Sequence, residues 1–499
     1  MTDEPSIRSL VIAGGGTAGW MAAAAFARHF HGTGLTITLV ESSAIGTIGV
    51  GEATIPTIRR FYAKLGVSDR EVMRATSATA KLGIRFENWH REGEAFIHPF
   101  GLYGRNQPDI AFHHFWLAEQ AAGHDAPISG YSLGAMLAEG ERMAQPTPNP
   151  SVPLAVFDWA LHLDAAAFAQ FLRRYAEASG VTRIDARIER VEAEGDRVRA
   201  LHLDNGARVE GDLFIDCTGF RSLLLGETLG AEFIDWRQWL PCDAAIAVQT
   251  ENADAAPPPY TRAIARAHGW QWRIPLNHRA GNGLVYSSRY WSEDEATATL
   301  MADLPGKPVS EPRRIPFRSG RRAQVWRGDV VALGLAAGFL EPLESTSIAL
   351  IETGIERLKE LFPTAALDPV LRDEYNDQSA REMERVRDFI ILHYHLNRRT
   401  DTAFWRDCAA MDVPETLARK IALWDARGEF IRYRWEMFHP ASWLAIYTGF
   451  DRRPRALNPA LNPRNREAMR ADMQRMRADI ASAVARTPAH AEFLKGIHG

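Results

Sequence analysis

The stretch "SLVIAGGGTAGWMAAAAFARHF", residues 9–30, decides the fold. Leu10 to Ala13 form a short, uninterrupted apolar run, as expected of a strand buried on both faces. A glycine turn follows, and then an alanine-rich segment that reads as a helix. "LTITLVE", ending in Glu41, reads as a second strand, which completes a β-α-β unit. Gly14-x-Gly16-x-x-Gly19 occupies the strand-to-helix turn, the place where a dinucleotide's pyrophosphate binds. Gly14 permits the tight turn, Gly16 lets phosphates approach the backbone, and Gly19 allows close helix packing. Thr17 and Ala18 open the helix whose N–H groups would face those phosphates. Glu41, 22 residues beyond Gly19, is placed to accept hydrogen bonds from a ribose.

Two later segments extend this unit. Residues 182–219 are strand-rich, with hairpin signals at Glu194-Gly195-Asp196 and Asn205-Gly206, and end in "DLFIDCTGF". "GDVVALGLAAGFLEPLEST", Gly328 to Thr346, supplies an acid before another strand and leads into the helix "TSIALIETGIERLKELF". The glycine turn, the second closure and the late Gly-Asp strand together point to FAD rather than NAD. A second glycine fingerprint for a nicotinamide is absent, so the flavin is expected to be reduced elsewhere. The predicted fold is α/β: an FAD-binding, doubly wound, glutathione-reductase-like module within residues 1–370. Three stretches, about 6–60, 180–225 and 315–365, are expected to build its single sheet. Substrate-binding segments, about 75–175 and 226–314, are inserted between them. Residues 371–499 read as a mostly helical region completing the substrate site. There Met469, Met473, Met476 and Ile480 fall at helical spacing, the signature of a docked helix.

The bulk numbers exclude several classes. A chain of 499 residues with 46% hydrophobic content buries a large core, and its net charge of −4 gives no reason for nucleic acid or anionic membrane binding. The three cysteines, Cys217, Cys242 and Cys408, form no CxxC pair, so neither a disulfide framework nor a metal site is expected. The N-terminus runs almost directly into a strand, and no apolar run approaches the ~20 residues that span a bilayer. A soluble, cytoplasmic protein is the expectation. The chain favours arginine so strongly that its only lysines are Lys64, Lys81, Lys307, Lys359, Lys420 and Lys495. Each is a hint that an amine, beyond mere positive charge, is wanted there. "GWQWRIPL", residues 269–276, places Trp270 and Trp272 on one side of an extended segment.

Several of these motifs, taken in order, carry a resemblance. "GGGTAGW", "IGVGEATIPTI" (Ile48 to Ile58), "KLGIRF", "FIHPFG", "WQWRIP" and "EPLEST" occur along most of the chain. In this it resembles the flavin-dependent halogenases of the tryptophan halogenase family. The resemblance implies an enzyme that uses reduced FAD, dioxygen and chloride or bromide to form hypohalous acid. Lys81 then matches the lysine that holds or activates the electrophilic halogen beside an electron-rich ring. Its neighbours Ala80, Leu82 and Ile84 suggest partial burial. A buried amine can lose its proton and turn nucleophilic, or keep it and donate a hydrogen bond; arginine does neither well. Glu344 matches the acid that polarises the oxidant, stabilises the ring cation or takes its proton. It also precedes a helix whose dipole favours an acid.

The same resemblance assigns Glu52, Ala53, Ile188, Leu335 and Ile348 to the flavin, and the backbone donors of Thr346 and Ser347 to the halide. The family usually has glycine at the position of Ser347. A left-handed conformation there would be harder for serine, which leaves the choice of halide open. Trp270 and Trp272 are implied to separate substrate from flavin while the oxidant passes. His98, Phe100 and Trp443 are implied to contact the aromatic substrate. Family members acting on free tryptophan carry a tyrosine-rich segment with an acid that grips the amino-acid end. "EFIRYRWEMFHPASWLAIYTGF" does not align with it, so indole, a substituted indole or a larger indole-bearing molecule is favoured over free tryptophan, which stays open. A separate NADH-dependent flavin reductase is the implied partner, and monomer and homodimer both stay open. An FAD-dependent aromatic monooxygenase and a non-catalytic flavin-binding homologue are the rival readings.

Overall fold

The computed structural model describes residues 6–45, 52–124, 126–147, 155–252 and 256–499, so Ile48 to Gly51 of the fourth-decade motif lie outside it. The chain divides into two compact units. One comprises Met1–Ala78, Leu163–Asp243 and Pro316–Glu384; the other comprises Thr79–His162, Ala244–Ile315 and Arg385–Gly499.

A six-stranded sheet forms the frame of the first unit. Its order is Trp326–Arg327, Val330–Ala332, Leu213–Asp216, Ser9–Ala13, Thr36–Glu41 and Thr182–Asp185. All neighbours run parallel except the first pair. Leu10 to Ala13 are fully buried at its centre, as their continuous apolar run requires. The alanine-rich helix Thr17–His29 packs against the helices Ala165–Ala178 and Ser347–Glu360. The small side chains of Ala22 to Ala25, all buried, let the helix backbones approach.

One expectation needs correction. Residues 182–219 do not all join this sheet: Ile188–Glu194, Arg197–Leu203 and Arg208–Val209 form a separate three-stranded antiparallel sheet. Patterning explains the split. Arg197–Leu203 largely alternates exposed and buried positions, which suits a sheet covered on one face. Leu213–Asp216 is buried throughout, and only the two-sided parallel sheet can accept it. Both hairpin signals turn where they were read, at Gly195 (φ 63°) and Gly206 (φ 82°).

The second unit is built on an antiparallel array, Ala244–Thr250, Ala280–Tyr286, Gly269–Pro275 and Thr261–Arg266. It continues through Gly83–Glu87, paired in parallel, to Ala95–Pro99. After residue 400 the chain is mainly helical: Ala403–Ala410, Glu415–Arg427, Pro440–Gly449, Pro463–Arg486 and His490–His498. Met469, Met473, Met476 and Ile480 are the buried residues of Pro463–Arg486, which docks on Phe112–Ala121 and Leu133–Glu139. Among the described residues no helix is long and apolar enough to cross a membrane.

Candidate active site

In the first unit the glycine turn has the geometry that its sequence demands. Gly14 has φ 105°, and a Cβ there would lie 2.3 Å from the Cys217 carbonyl oxygen. A Cβ on Gly19 would lie 1.9 Å from the Gly14 oxygen, so helix and turn touch backbone to backbone. At Gly16 the added carbon would meet nothing within 4 Å. That glycine is therefore not required by the protein's own packing. Gly16 also caps the helix Thr17–His29 without a side-chain hydrogen bond and with no acid in the first turn. The first N–H groups, including those of Thr17 and Ala18, are thus left for an anion. Glu41 ends its strand as expected, but its carboxylate is already engaged. It accepts from Arg183 Nε at 2.6 Å and from Trp20 Nε1 at 3.3 Å. Sequence reading missed Arg183, which lies on a strand 142 residues away.

Asp216 organises the Thr-Gly turn, accepting from the backbone of Thr218, Leu224 and Leu225. Asp329, the acid of the Gly-Asp strand, is buried and accepts from the Val198 backbone at 2.9 Å; desolvation raises its carboxyl to about 6. Ile188 opens its antiparallel strand against the apolar cluster under that sheet. Leu335 lines a cavity of ≈ 260 Å3 with Phe220, Phe233, Phe339, Arg318 and Arg322. The Arg318 guanidinium lies 4.1 Å from the Phe233 ring centroid. Glu52 and Ala53 form a short strand, and burial lifts the Glu52 carboxyl to about 7. Glu352, not singled out from sequence, rises to about 8 for the same reason.

Glu344 ends a 3-10 turn, Pro342–Glu344, and is 1% exposed. Here the structure corrects the reading of Ser347. The left-handed residue is Ser345 (φ 60°), and Ser347 is simply the first residue of the helix Ser347–Glu360. Thr346, the helix cap, is itself right-handed (φ −89°, ψ −12°), so serine in place of glycine at 347 carries no backbone strain. The cap makes no side-chain hydrogen bond, and Thr346 Oγ1 is buried with no partner among the described residues. The N–H groups of Ser347 and Ile348 in the helix's first turn have no carbonyl partner within the helix, an arrangement that suits an anion.

In the second unit Lys81 is fully buried, at the end of the strand Thr79–Lys81. Its Nζ stands 5.1 Å from the Phe100 ring centroid. The strand pairs with Ala160–Leu163, Lys81 opposite Ala160 and Thr79 opposite His162. Thr79 Oγ1 donates to the Pro275 carbonyl at 2.6 Å, which ties the lysine strand to the end of the tryptophan strand. The hydroxyl has then spent its one proton, so at 2.9 Å it must accept from His162 Nδ1–H. His162 Nε2 in turn faces the Thr261 hydroxyl at 3.0 Å. Burial first, and then the Lys81 charge, hold this imidazole neutral, well below its ordinary range. The chain's last helix completes the anchorage: His490 Nε2 accepts from the Ala80 backbone at 3.3 Å, and His490 Nδ1 donates to the Pro257 carbonyl at 2.6 Å. None of Thr79, His162 or His490 carries a sequence signal, because their partners lie 83 to 410 residues away.

Thr79→Val is expected to leave His162 Nδ1–H and the Pro275 carbonyl unsatisfied. The cost should be about 2–4 kcal/mol of unfolding free energy, read by denaturant titration, with Thr79→Ser restoring most of it. Equal stability of valine and serine variants would dismiss the anchor.

Trp270 and Trp272 share one strand and are both buried, with ring centroids 6.1 Å apart. Trp270 also lies 6.4 Å from Trp89, which packs on Tyr394 and Trp405, so it belongs to an aromatic core. Trp272 instead covers Gly283 on the neighbouring strand, where a Cβ would sit 2.0 Å from its ring. His98 is buried, 5.8 Å from Phe389 and 6.4 Å from Phe438. Trp443 reaches the same cluster, 5.0 Å from Phe389. The structure thus joins His98 and Trp443 through Phe389 and Phe438, neither of which the sequence marked.

With this geometry in hand, similarity to known proteins is decisive. The family model for tryptophan halogenase matches residues 9–465. The chain belongs to the tryptophan halogenase family. It is 36% identical over 526 residues to the 7-chloro-L-tryptophan 6-halogenase KtzR of Kutzneria sp. (strain 744), covering 98% of this chain and 99% of that one. Among solved structures, BrvH, a flavin-dependent halogenase from Brevundimonas sp. BAL3, superposes with TM-score 0.95 at 62% identity, covering 99% of this chain and 100% of BrvH. A flavin-dependent halogenase from Xanthomonas campestris superposes with TM-score 0.93 at 45% identity, over 99% and 98% of the two chains. The protein is therefore an enzyme of the flavin-dependent halogenase type.

Proposed function

We propose that this enzyme halogenates an indole-type aromatic, with Lys81 delivering the halogen and Glu344 assisting. The observation that carries the reading is a fully buried lysine amine beside an aromatic ring in an arginine-rich chain. The first unit fits a flavin dinucleotide: space is left at Gly16, the helix behind it is uncapped, and Leu335 lines a cavity with aromatic and guanidinium walls. Reduced FAD, when bound, would activate dioxygen, the oxidant that converts halide to hypohalous acid.

The chain's own groups do the rest. Thr17 and Ala18 would hold the pyrophosphate by their backbone, and Glu41, steadied by Arg183, the adenosine ribose. Thr346, Ser347 and their helix end would hold the halide. Lys81 holds the hypohalous acid or its halogen; the aromatic carbon then gains the halogen as the O–X bond, or the N–X bond to the lysine, breaks. Glu344 takes the ring proton, so that an aromatic C–H and HOX give C–X and water. Trp270 and Trp272 keep the substrate from the oxidant's source. The relatives named above include one acting on chlorotryptophan, but the segment 429–450 here supports an indole lacking the amino-acid end. Chloride and bromide are both proposed, and a diffusing NADH-dependent reductase is the proposed electron donor.

The test combines enzyme, FAD, a flavin reductase with NADH, chloride or bromide, and indole, read by mass spectrometry. A halogenated indole is expected. Hydroxylated product formed without halide would establish the monooxygenase instead. Trp272→Ala should lower the halogenated product per NADH consumed by about tenfold or more, since an unguarded substrate wastes oxidant. Unchanged coupling would remove the barrier role.

A further inference from the structure

Among the described residues the lysine strand Thr79–Lys81 pairs with one other strand, Ala160–Leu163, and lies at the edge of its sheet. An edge strand turns every second N–H away from its partner. Here these are the N–H groups of Ala80 and Leu82, one on each side of Lys81. Both are taken up by a single short tract, Pro257-Pro258-Pro259. The Leu82 N–H donates to the Pro259 carbonyl at 2.7 Å. The Ala80 N–H donates to His490 Nε2 at 3.3 Å, and His490 Nδ1 donates to the Pro257 carbonyl at 2.6 Å. Proline has no N–H of its own, so the tract supplies acceptors without extending the sheet. Leu82 also accepts from the Phe100 N–H at 2.8 Å, so the ring that faces the Lys81 amine hangs from the same anchor.

His490 is the bridging member of this arrangement and is 1% exposed. Burial, only partly offset by the bond to Pro257, lowers its imidazole to about 4. It therefore stays neutral, and a neutral imidazole accepts with one nitrogen while the other donates. Contacts apart from the lysine strand hold the chain around it. The His490 N–H donates to the Glu141 carbonyl at 2.9 Å, and the Met143 N–H to that of Pro488 at 3.2 Å. Phe493 stacks on His490 with centroids 6.3 Å apart and meets Trp159, the neighbour of Ala160, edge-on. All these residues belong to one compact unit.

We propose that His490 is a positioning residue: with the proline tract it fixes the backbone on both sides of Lys81 and so sets where the amine meets the halogen and the ring. This rests on the halogen-delivering role given to Lys81 above. A displacement of about 1 Å in a reacting group costs roughly 10^2-fold in rate, so the loss of one of two anchors is enough to matter.

Amide hydrogen exchange of the full-length protein, beside halogenation of indole with FAD, a flavin reductase, NADH and bromide, tests this. In wild-type protein the Ala80 and Leu82 amides should exchange at least about 10^2-fold more slowly than those of an unfolded chain. An unprotected Ala80 amide overturns the anchor whatever the variants do. His490→Asn places its amide near the Nδ1 position, where it can keep the Pro257 bond but cannot reach Ala80. It should speed Ala80 exchange and lower kcat for halogenated indole about tenfold, with KM for indole and flavin affinity unchanged. His490→Gln reaches Ala80 and should hold kcat within about threefold of wild type. Equal kcat in the asparagine and glutamine variants, with Lys81→Met inactive in the same assay, overturns the positioning role and leaves the Lys81 reading intact. Lys81→Met that halogenates like wild type overturns both.

Discussion

Lys81→Met is expected to reduce halogenation by about 10^2- to 10^4-fold while the protein stays folded and binds flavin. Methionine fills a comparable volume at a fully buried position, and removing an amine from such a site lifts the cost of burying it. The melting temperature should therefore move by no more than about 5 °C. Flavin affinity should be unchanged, because Lys81 belongs to the second unit and the glycine turn to the first. Product analysis by mass spectrometry beside a flavin titration checks both halves. A folded variant keeping a tenth or more of wild-type halogenation would remove Lys81 from the chemistry.

Gly16→Ala should behave in the opposite way, leaving the protein's stability alone and weakening its hold on flavin about tenfold or more. The added methyl meets nothing within 4 Å, so the free protein has no reason to object. Any loss then reports a ligand phosphate lying against that backbone. Gly19→Ala is the contrast. There the methyl would lie 1.9 Å from a backbone oxygen that cannot rotate away, so stability itself should fall by about 1–3 kcal/mol. Flavin fluorescence titrations and thermal melts of the two variants separate the effects. Equal flavin affinity of Gly16→Ala and wild type would move the pyrophosphate elsewhere.

Much of the frame was legible because its signals are local. An apolar run, a glycine turn and a small-residue helix lie within residues 9–30, and they fold as read. Of the candidate site, the family resemblance marked Lys81, the tryptophan pair and Glu344, and the structure adds that all four are buried. The site's supports were not marked. Thr79, His162 and His490 are ordinary residues until the fold brings them to the lysine strand. The concern over Ser347 failed for a related reason: which residue of a turn goes left-handed is settled by the way that turn meets its helix, and here it is Ser345.

The sequence alone determined the parallel strand–turn–helix frame and the glycines it needs, since propensity and periodicity act over a few residues. Tertiary structure alone decided that a C-terminal histidine caps the backbone beside Lys81 and that Glu41 leans on Arg183. Hydrogen bonds and ion pairs need contact within about 3 Å, and contacts between residues hundreds of positions apart exist only once the chain has folded.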